Sequence, residues 1–463
     1  MNGVIETAPP PPAEASVPVV IIGAGAAGLV AALACRDAGV EPLLIERDRR
    51  PRGSTSLSAG LIPAAGTRFQ AAHGIADTPE LFAADIQAKA HGQAEPGTVA
   101  TVARAAGPTL EWLADRFDLP FSLVHDFDYP GHARRRMHGL PSRSGAELVD
   151  RLLGAVEREG VPLLTEARAA RLLRTPDGAL TGLIVERPDG AEEAIGARAI
   201  ILACSGYAGS RTMVARHIPA LAEALYFGHP GNEGDAAAWA EVLGAEMADM
   251  TGHQGHGSVA HPQGILVSWA VIMEGGVQVN AAGQRFWNEA SGYSEAGVAV
   301  LAQPGGIAFD VFDARIAGIA RQFEDFRAAE AAGAIITADS LPALAARLGL
   351  PTLPDTMAEV AALKGAGGTD RFGRHFAGVA PLSPPYCAVR VTGALFHSQG
   401  GPVVDSSARI RLKGGGHIPN LFAAGGAACG VSGPDASGYL SGNGLLTAVA
   451  LGRIAGQGAA RLV

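Results

Sequence analysis

The run Val17-Pro-Val-Val-Ile-Ile22, followed at once by Gly23-Ala-Gly-Ala-Ala-Gly28, constrains the fold of this chain more than any other stretch. A short β-branched apolar run reads as a buried parallel strand. Three glycines at this spacing, between strand and helix, make a turn that a pyrophosphate can approach. Gly23 permits the turn, Gly25 lets the backbone come close to the phosphates, and Gly28 lets helix and strand pack tightly. The N–H groups at the start of the helix then meet the negative charge. A helix to about residue 37 and a strand over residues 42–45 complete a βαβ opening. Glu46 follows at the strand end, where a carboxylate binds adenosine ribose hydroxyls. Ala27 and Arg47 are assigned to the same site. The bland alternative is a glycine-rich turn with no ligand. Strand, helix and Glu46 together favour a dinucleotide.

Composition sets the outer bounds. The chain has 463 residues, 48% hydrophobic and 17% charged, which excludes a disordered polypeptide and suggests one large or two interleaved domains. A net charge of −9 without a basic block argues against nucleic acid and against an anionic membrane as partners. Cys35, Cys204, Cys387 and Cys429 are far apart and give no disulfide, zinc-ribbon or haem pattern. Residues 1–16, with prolines at 9–12 and no apolar signal core, read as the disordered leader of a cytoplasmic protein. No run of 18 apolar residues lacks glycine and charge, so no membrane span is expected.

Two further loops are rich in glycine and hydroxyls. Residues 52–60 contain Ser54, Thr55, Ser58, Ala59 and Gly60. Residues 441–445 contain Ser441, Gly442, Asn443 and Leu445 and open a last helix. NAD needs no such extra cradle, whereas FAD has a ribityl chain and a flavin ring to hold. No second G-x-G-x-x-G is present. The fold class expected is α/β, a Rossmann-like FAD-binding domain with an inserted α+β cap domain for the substrate. The composition changes near Thr251, and the boundaries expected are 17–250 plus 395–463 for the FAD domain and 251–394 for the cap.

The motifs resemble those of the FAD-dependent fumarate reductase and 3-ketosteroid dehydrogenase superfamily, over nearly the whole chain. They are Gly23-Ala-Gly-Ala-Ala-Gly-Leu29, Gly53-Ser-Thr-Ser-Leu-Ser-Ala-Gly60, Gly231-Asn-Glu-Gly-Asp235, Gly275-Gly-Val-Gln-Val-Asn280, Gly283-Gln-Arg-Phe-Trp-Asn-Glu289, Leu421-Phe-Ala-Ala-Gly425 and Ser441-Gly-Asn-Gly-Leu445. The resemblance implies Gly425 as a further FAD contact. It also implies non-covalent FAD, because the covalent relatives carry a histidine where Thr55 stands. The departures carry information about the substrate. Where the fumarate-reducing branch has a proton-donating arginine, this chain has Tyr293. Its proton-relay glutamate and arginine correspond to Trp269 and Ile272. Its carboxylate-binding histidine and second arginine correspond to Phe396, beside His397, and to Tyr439. His256 alone persists among the substrate histidines.

Those exchanges remove the cations that bind a dicarboxylate, for which the planar fork of arginine is preferred. A neutral, carbonyl-bearing small molecule is the substrate expected, with an electron acceptor left unnamed. By the resemblance, Tyr293 removes a proton next to the carbonyl while hydride leaves the neighbouring carbon for the flavin. The bland reading of Tyr293 is a packing residue. Tyr439 either donates a hydrogen bond to the carbonyl or walls the pocket; Ser437 is a second donor candidate or a loop hydroxyl. His256 faces substrate or is structural, and His397 contacts the flavin. His253-x-x-His256 lacks carboxylate or cysteine company, so no metal is expected. Arg134-Arg-Arg136 reads as a solvated charge run. The leading function is therefore α,β-desaturation of a ketone by a flavin-dependent dehydrogenase. The alternative is a reductase of an unsaturated acid, of the fumarate or urocanate kind. A flavin-binding electron carrier would need no proton-transfer group.

Overall fold

A computed structural model describes residues 5–125 and 128–463. They form two compact units. The first joins Met1–Ile218, Gly228–His253 and His397–Val463; the second comprises Pro219–Phe227 and Gln254–Phe396.

The first unit is framed by a sheet of nine strands among the described residues. Its strands include β1 (Ile5–Thr7), β2 (Ser16–Ile22), β3 (Pro42–Ile45), β4 (Glu192–Leu202) and β5 (His417–Ala423), with helices α1 (Ala26–Asp37) and α2 (Asn443–Ala460). β3, β2, β4 and β5 lie side by side and run parallel, with Leu44 beside Ile21, Ile21 beside Ile201, and Ile201 beside Phe422. The first half of β4 pairs antiparallel with Leu180–Glu186, and its last residues pair with β5. Val19, Val20, Ile21 and Ile22 are all buried. That is why this stretch reads as a continuous apolar run: side chains on both faces of a parallel strand are covered. α1 is buried from Ala26 to Cys35, and α2 packs against it. The approach is possible because α2 carries glycine at the contact. A Cβ on Gly452 would lie 2.6 Å from the Ala27 carbonyl oxygen, and one on Gly456 would lie 2.3 Å from that of Ala31.

The second unit is built on the long strand Tyr386–Ser398. Ile307–Asp313 and Ile335–Ala338 pair antiparallel with it, and Leu225–Tyr226 pairs parallel. Along Ile307–Asp313 the side chains alternate between two apolar clusters. Ala308 and Phe312 enter one; Ile307, Phe309 and Val311 enter the other. The period of two buries both faces of this sheet as well.

Three expectations are corrected. The leader is not disordered throughout: Ile5–Thr7 forms a parallel edge strand on Arg168–Arg174, with Ile5 beside Leu172, so its backbone groups have partners. Residues 1–4 of that expectation lie outside the described residues. The inserted unit is not the single stretch 251–394. It gathers Pro219–Phe227 as well, because Leu225–Tyr226 joins the strand at Ala394 and Leu395. The arginine run is not uniformly solvated. Arg134 and Arg135 are exposed, but Arg136 is buried and paired with Asp77 and Asp85.

Candidate active site

The glycine turn sits at the end of β2. Gly23 has φ +102°, a conformation that disfavours any side chain. Gly28 is held tightly, since a Cβ there would lie 1.8 Å from the Gly23 carbonyl oxygen. At Gly25 the space in front is open: the nearest atom to a built Cβ is Thr55 Oγ1, at 3.5 Å. Gly25 is also the N-cap of α1 and supplies no side-chain cap. Glu46, at the end of β3, accepts the Ala24 N–H on Oε2 at 2.9 Å and the Asp48 N–H on Oε1 at 3.0 Å. Its carboxylate is thus fixed in direction and keeps lone pairs for two hydroxyls. Arg47 donates to the Gly231 carbonyl at 2.9 Å and pairs with Glu233 at 3.2 Å, which ties this turn to the Gly231–Asp235 motif.

The loop at 53–60 is fastened to the same turn. Thr55 Oγ1 accepts the Ala26 N–H at 3.1 Å, and Ser54 Oγ accepts from the His229 N–H at 3.0 Å and from Asn232 at 2.8 Å. Ser58 donates to the Thr55 carbonyl at 2.7 Å and accepts the Gly60 N–H at 3.1 Å. Ala59 lies between them, partly buried. Gly425 (φ +60°) lies between the helices: a Cβ there would sit 3.2 Å from the Ala27 methyl.

The second cradle is the amino end of α2. Gly442 caps it at φ +88° with no side-chain cap. Asn443 is fully buried; its amide N–H donates to Ser432 at 3.0 Å, while its Oδ1 has no partner. Buried polar atoms are seldom left so, and an orphaned acceptor at an uncapped helix start suits a flavin, which carries both donor and acceptor groups. Leu445 follows, partly buried. Ser432 donates to Gln399 at 2.8 Å, and Gln399 donates to His397 Nδ1 at 3.0 Å. Nδ1 also lies 3.4 Å from the Ser398 carbonyl oxygen, and Nε2 ends 3.0 Å from where a Gly444 Cβ would stand. Burial pushes the His397 pKa down to about 4, so this ring is a neutral donor. Tyr439 packs edge-on to it with centroids 5.4 Å apart, and its hydroxyl accepts the Gly444 N–H at 3.4 Å. Burial raises the Tyr439 phenol above its ordinary value, so it stays protonated and able to donate. Ser437 lies in the short turn Ala436–Gly438, with its hydroxyl 3.3 Å from His91 Nε2. In all, an open approach at Gly25, a fixed carboxylate and an uncapped helix start with an orphaned acceptor fit FAD.

In the second unit, Tyr293 is the first residue of the helix Tyr293–Leu301, after Gly292 at φ +145°. Its ring stacks on that of His256, with centroids 5.0 Å apart and planes 23° apart. Trp269 meets His256 edge-on at 5.7 Å, and Phe396 lies 5.3 Å from it. Tyr293, Trp269 and Phe396 thus enclose His256 in aromatic rings. Burial drives its pKa down to about 3. The Ser258 N–H donates to His256 Nδ1 at 3.1 Å, which leaves the proton on Nε2. Ser258 in turn donates to the buried carboxyl of Asp310, which also accepts from Gln278 at 2.8 Å. Burial raises Asp310 to about 7. Sequence reasoning missed Gln399, Ser432, Ser258 and Asp310. Gln399 lies two residues from His397, but nothing in the sequence marks Asp310 as a neighbour of Ser258. His253 bonds to the Thr251 carbonyl at 2.8 Å, and the described residues contain no group of three metal-ligating side chains.

Residues 18–445 match the family described as FAD binding domain. The chain belongs to this family. The flavoprotein is 30% identical to the probable fumarate reductase Ifc3 of Shewanella frigidimarina, over 96% of this chain and 74% of that protein. It is similar to the open conformation of a flavocytochrome c3 fumarate reductase, at 29% identity and TM-score 0.81, covering 96% of this chain and 78% of that one. It shares its fold with the 3-ketosteroid-Δ4-(5α)-dehydrogenase of Rhodococcus jostii RHA1, at 24% identity and TM-score 0.74, covering 96% and 97%. FAD is its cofactor, and it is an FAD-dependent oxidoreductase. No helix among the described residues is long and apolar enough to cross a membrane.

Proposed function

We propose that this flavoprotein desaturates, or in reverse saturates, the carbon–carbon bond next to the carbonyl of a neutral substrate. The observation that carries the reading is His256, held uncharged in a nest of Trp269, Tyr293 and Phe396. A neutral Nε2–H donor suits a ketone oxygen. It does not offer the positive charge that a carboxylate requires.

Gly25, Glu46, Thr55 and the amino end of α2 would hold FAD, which supplies a hydride acceptor when bound. The chain's own part is the proton. Tyr293 takes the α-proton on its phenolic oxygen. An unperturbed phenol, with a pKa of about 10, is a poor base at neutral pH. The N–H groups at the start of its helix favour negative charge there. Tyr439, kept protonated, donates to the oxygen on which the enolate charge develops.

The second reading, a reductase of an unsaturated acid, is favoured by the Shewanella relative. The exchange of arginine for Tyr293 and Tyr439 speaks against it. The test is a panel of cyclic ketones, steroids and unsaturated acids, each assayed with an artificial electron acceptor and with reduced viologen. The proposal expects turnover on a neutral ketone or enone. Turnover on fumarate or urocanate alone would transfer the assignment to the second reading.

A further inference from the structure

The buried member of the Arg134–Arg136 run leads to a residue outside every motif discussed above. Arg136 is held by Asp77 through two hydrogen bonds of 2.9 Å and pairs with Asp85; the side chains of Arg136 and Asp77 are wholly buried. Its guanidinium lies over the Phe82 ring, 4.7 Å from the centroid. One nitrogen, Nη1, reaches His132 Nδ1 at 3.5 Å, and His132 Nε2 lies 3.0 Å from the Ser441 carbonyl oxygen. Arginine only donates and a carbonyl only accepts. The two contacts therefore fix one tautomer, with Nδ1 accepting from Arg136 and Nε2–H donating to Ser441. Burial, and then the Arg136 charge, push the His132 pKa down to about 4, so the ring remains neutral.

We propose that His132 is a positioning residue: by gripping the Ser441 carbonyl it turns the Gly442 N–H onto the hydroxyl of Tyr439. A trans peptide points its C=O and N–H in opposite directions. Holding one end aims the other. The Tyr439 hydroxyl is faced by the N–H groups of both Gly442 and Gly444. A hydroxyl that accepts hydrogen bonds is polarised and donates its own proton more strongly. Gly442 holds φ +88°, and a Cβ there would lie 2.5 Å from the Pro63 ring, so no other residue fits this peptide orientation. The inference deepens the reading of Tyr439 as the carbonyl donor and rests on it. The bland alternative is a buried histidine that merely fills space.

The FAD-loaded protein labelled with [13Cζ]tyrosine distinguishes the two. Tyr439→Phe identifies the Tyr439 line among the six tyrosines. His132→Asn keeps an N–H that can reach the carbonyl; His132→Leu keeps bulk and removes the donor. The expected result is a Tyr439 line that shifts in His132→Leu and returns to the wild-type position in His132→Asn, with FAD content unchanged. An unmoved line in folded His132→Leu overturns the proposal. Should that variant not fold, [15N]histidine spectra of the wild-type protein decide. A neutral ring protonated on Nε2 from about pH 5.5 to 8 supports it, and a charged ring or an Nδ1–H tautomer overturns it. If the line responds while Tyr439→Phe retains full turnover, the positioning stands and the donor role of Tyr439 fails.

Discussion

Tyr293 occupies the first position of a helix and lies flat against a histidine that does not charge. Its hydroxyl, not its ring, is the part that the proposed chemistry uses. Tyr293→Phe should therefore keep FAD bound and lower turnover roughly 10²–10⁴-fold, the range for a lost general acid or base. Tyr439→Phe should cost on the order of 10²–10³, as for one oxyanion donor. Both are read from steady-state rates beside the flavin absorbance of the same preparation. Wild-type turnover in Tyr293→Phe, with the chemical step rate-limiting, reduces that residue to packing. The histidines give a second expectation. His256, at about 3, and His397, at about 4, both fall far below the ordinary 6.5. Neither should titrate near neutrality, so kcat/KM should show no limb at 6.5 from either ring. A limb there that His256→Asn abolishes would contradict the assignment of a neutral donor.

The loops and strands that carry these residues make their own predictions. Glu46→Ala removes the carboxylate proposed to bind the adenosine ribose, so FAD affinity should fall by about 1.5–3 kcal/mol for each charge-assisted bond lost. Gly25→Val should weaken it further by filling the open space in front of Gly25. Fluorescence titration of apoprotein with FAD measures both, and unchanged affinity in both would remove this site. Acid or heat should release all the FAD, because Thr55 provides no histidine nitrogen for a covalent bond. On the strand Ile307–Asp313, Asp310 faces Ser258 and Gln278 in its protonated range. Burial lifts its folded pKa to about 7, from the ordinary 3.8 of an aspartate in the unfolded chain. The stability it lends is full below 3.8 and is lost as pH rises through 7. Asp310→Asn should flatten that part of the denaturation-midpoint profile, and an unaltered slope would show that Asp310 is ionised throughout. Much of this level was legible in advance: the glycine turn, Glu46, Thr55 and the helix opening at Ser441 carry local signals that depend on adjacent residues. Asp310 and Arg136 carried none. An aspartate in an apolar strand and one arginine of three declare themselves only when partners from distant segments, Ser258 or Asp77, are folded against them.

At the scale of the whole molecule the charge of −9 bears on substrate choice. A neutral ketone feels no long-range field, so its kcat/KM should be flat between roughly 20 and 300 mM salt. A dianionic acid repelled by the protein should bind better as salt rises. A marked salt dependence for the best substrate would favour the acid reading. The division into two units was only partly legible. The change of composition near Thr251 falls within a few residues of Gln254, where the second unit resumes after its first segment, Pro219–Phe227. The excursion Pro219–Phe227 was invisible, because a two-residue strand has no periodicity; only its pairing with Ala394 and Leu395 defines it. The seating of α2 on α1 has a consequence for how the protein comes into being on the ribosome. The glycine turn at residues 23–28 is made early, but the helix that packs against it, and the loop at Ser441–Leu445 that would meet the flavin, emerge only after the whole of the second unit has been synthesised. Contacts this distant in sequence form slowly. A nascent chain that has made residues 23–28 but not residues 441–445 would therefore offer FAD only one of the two loops proposed to cradle it.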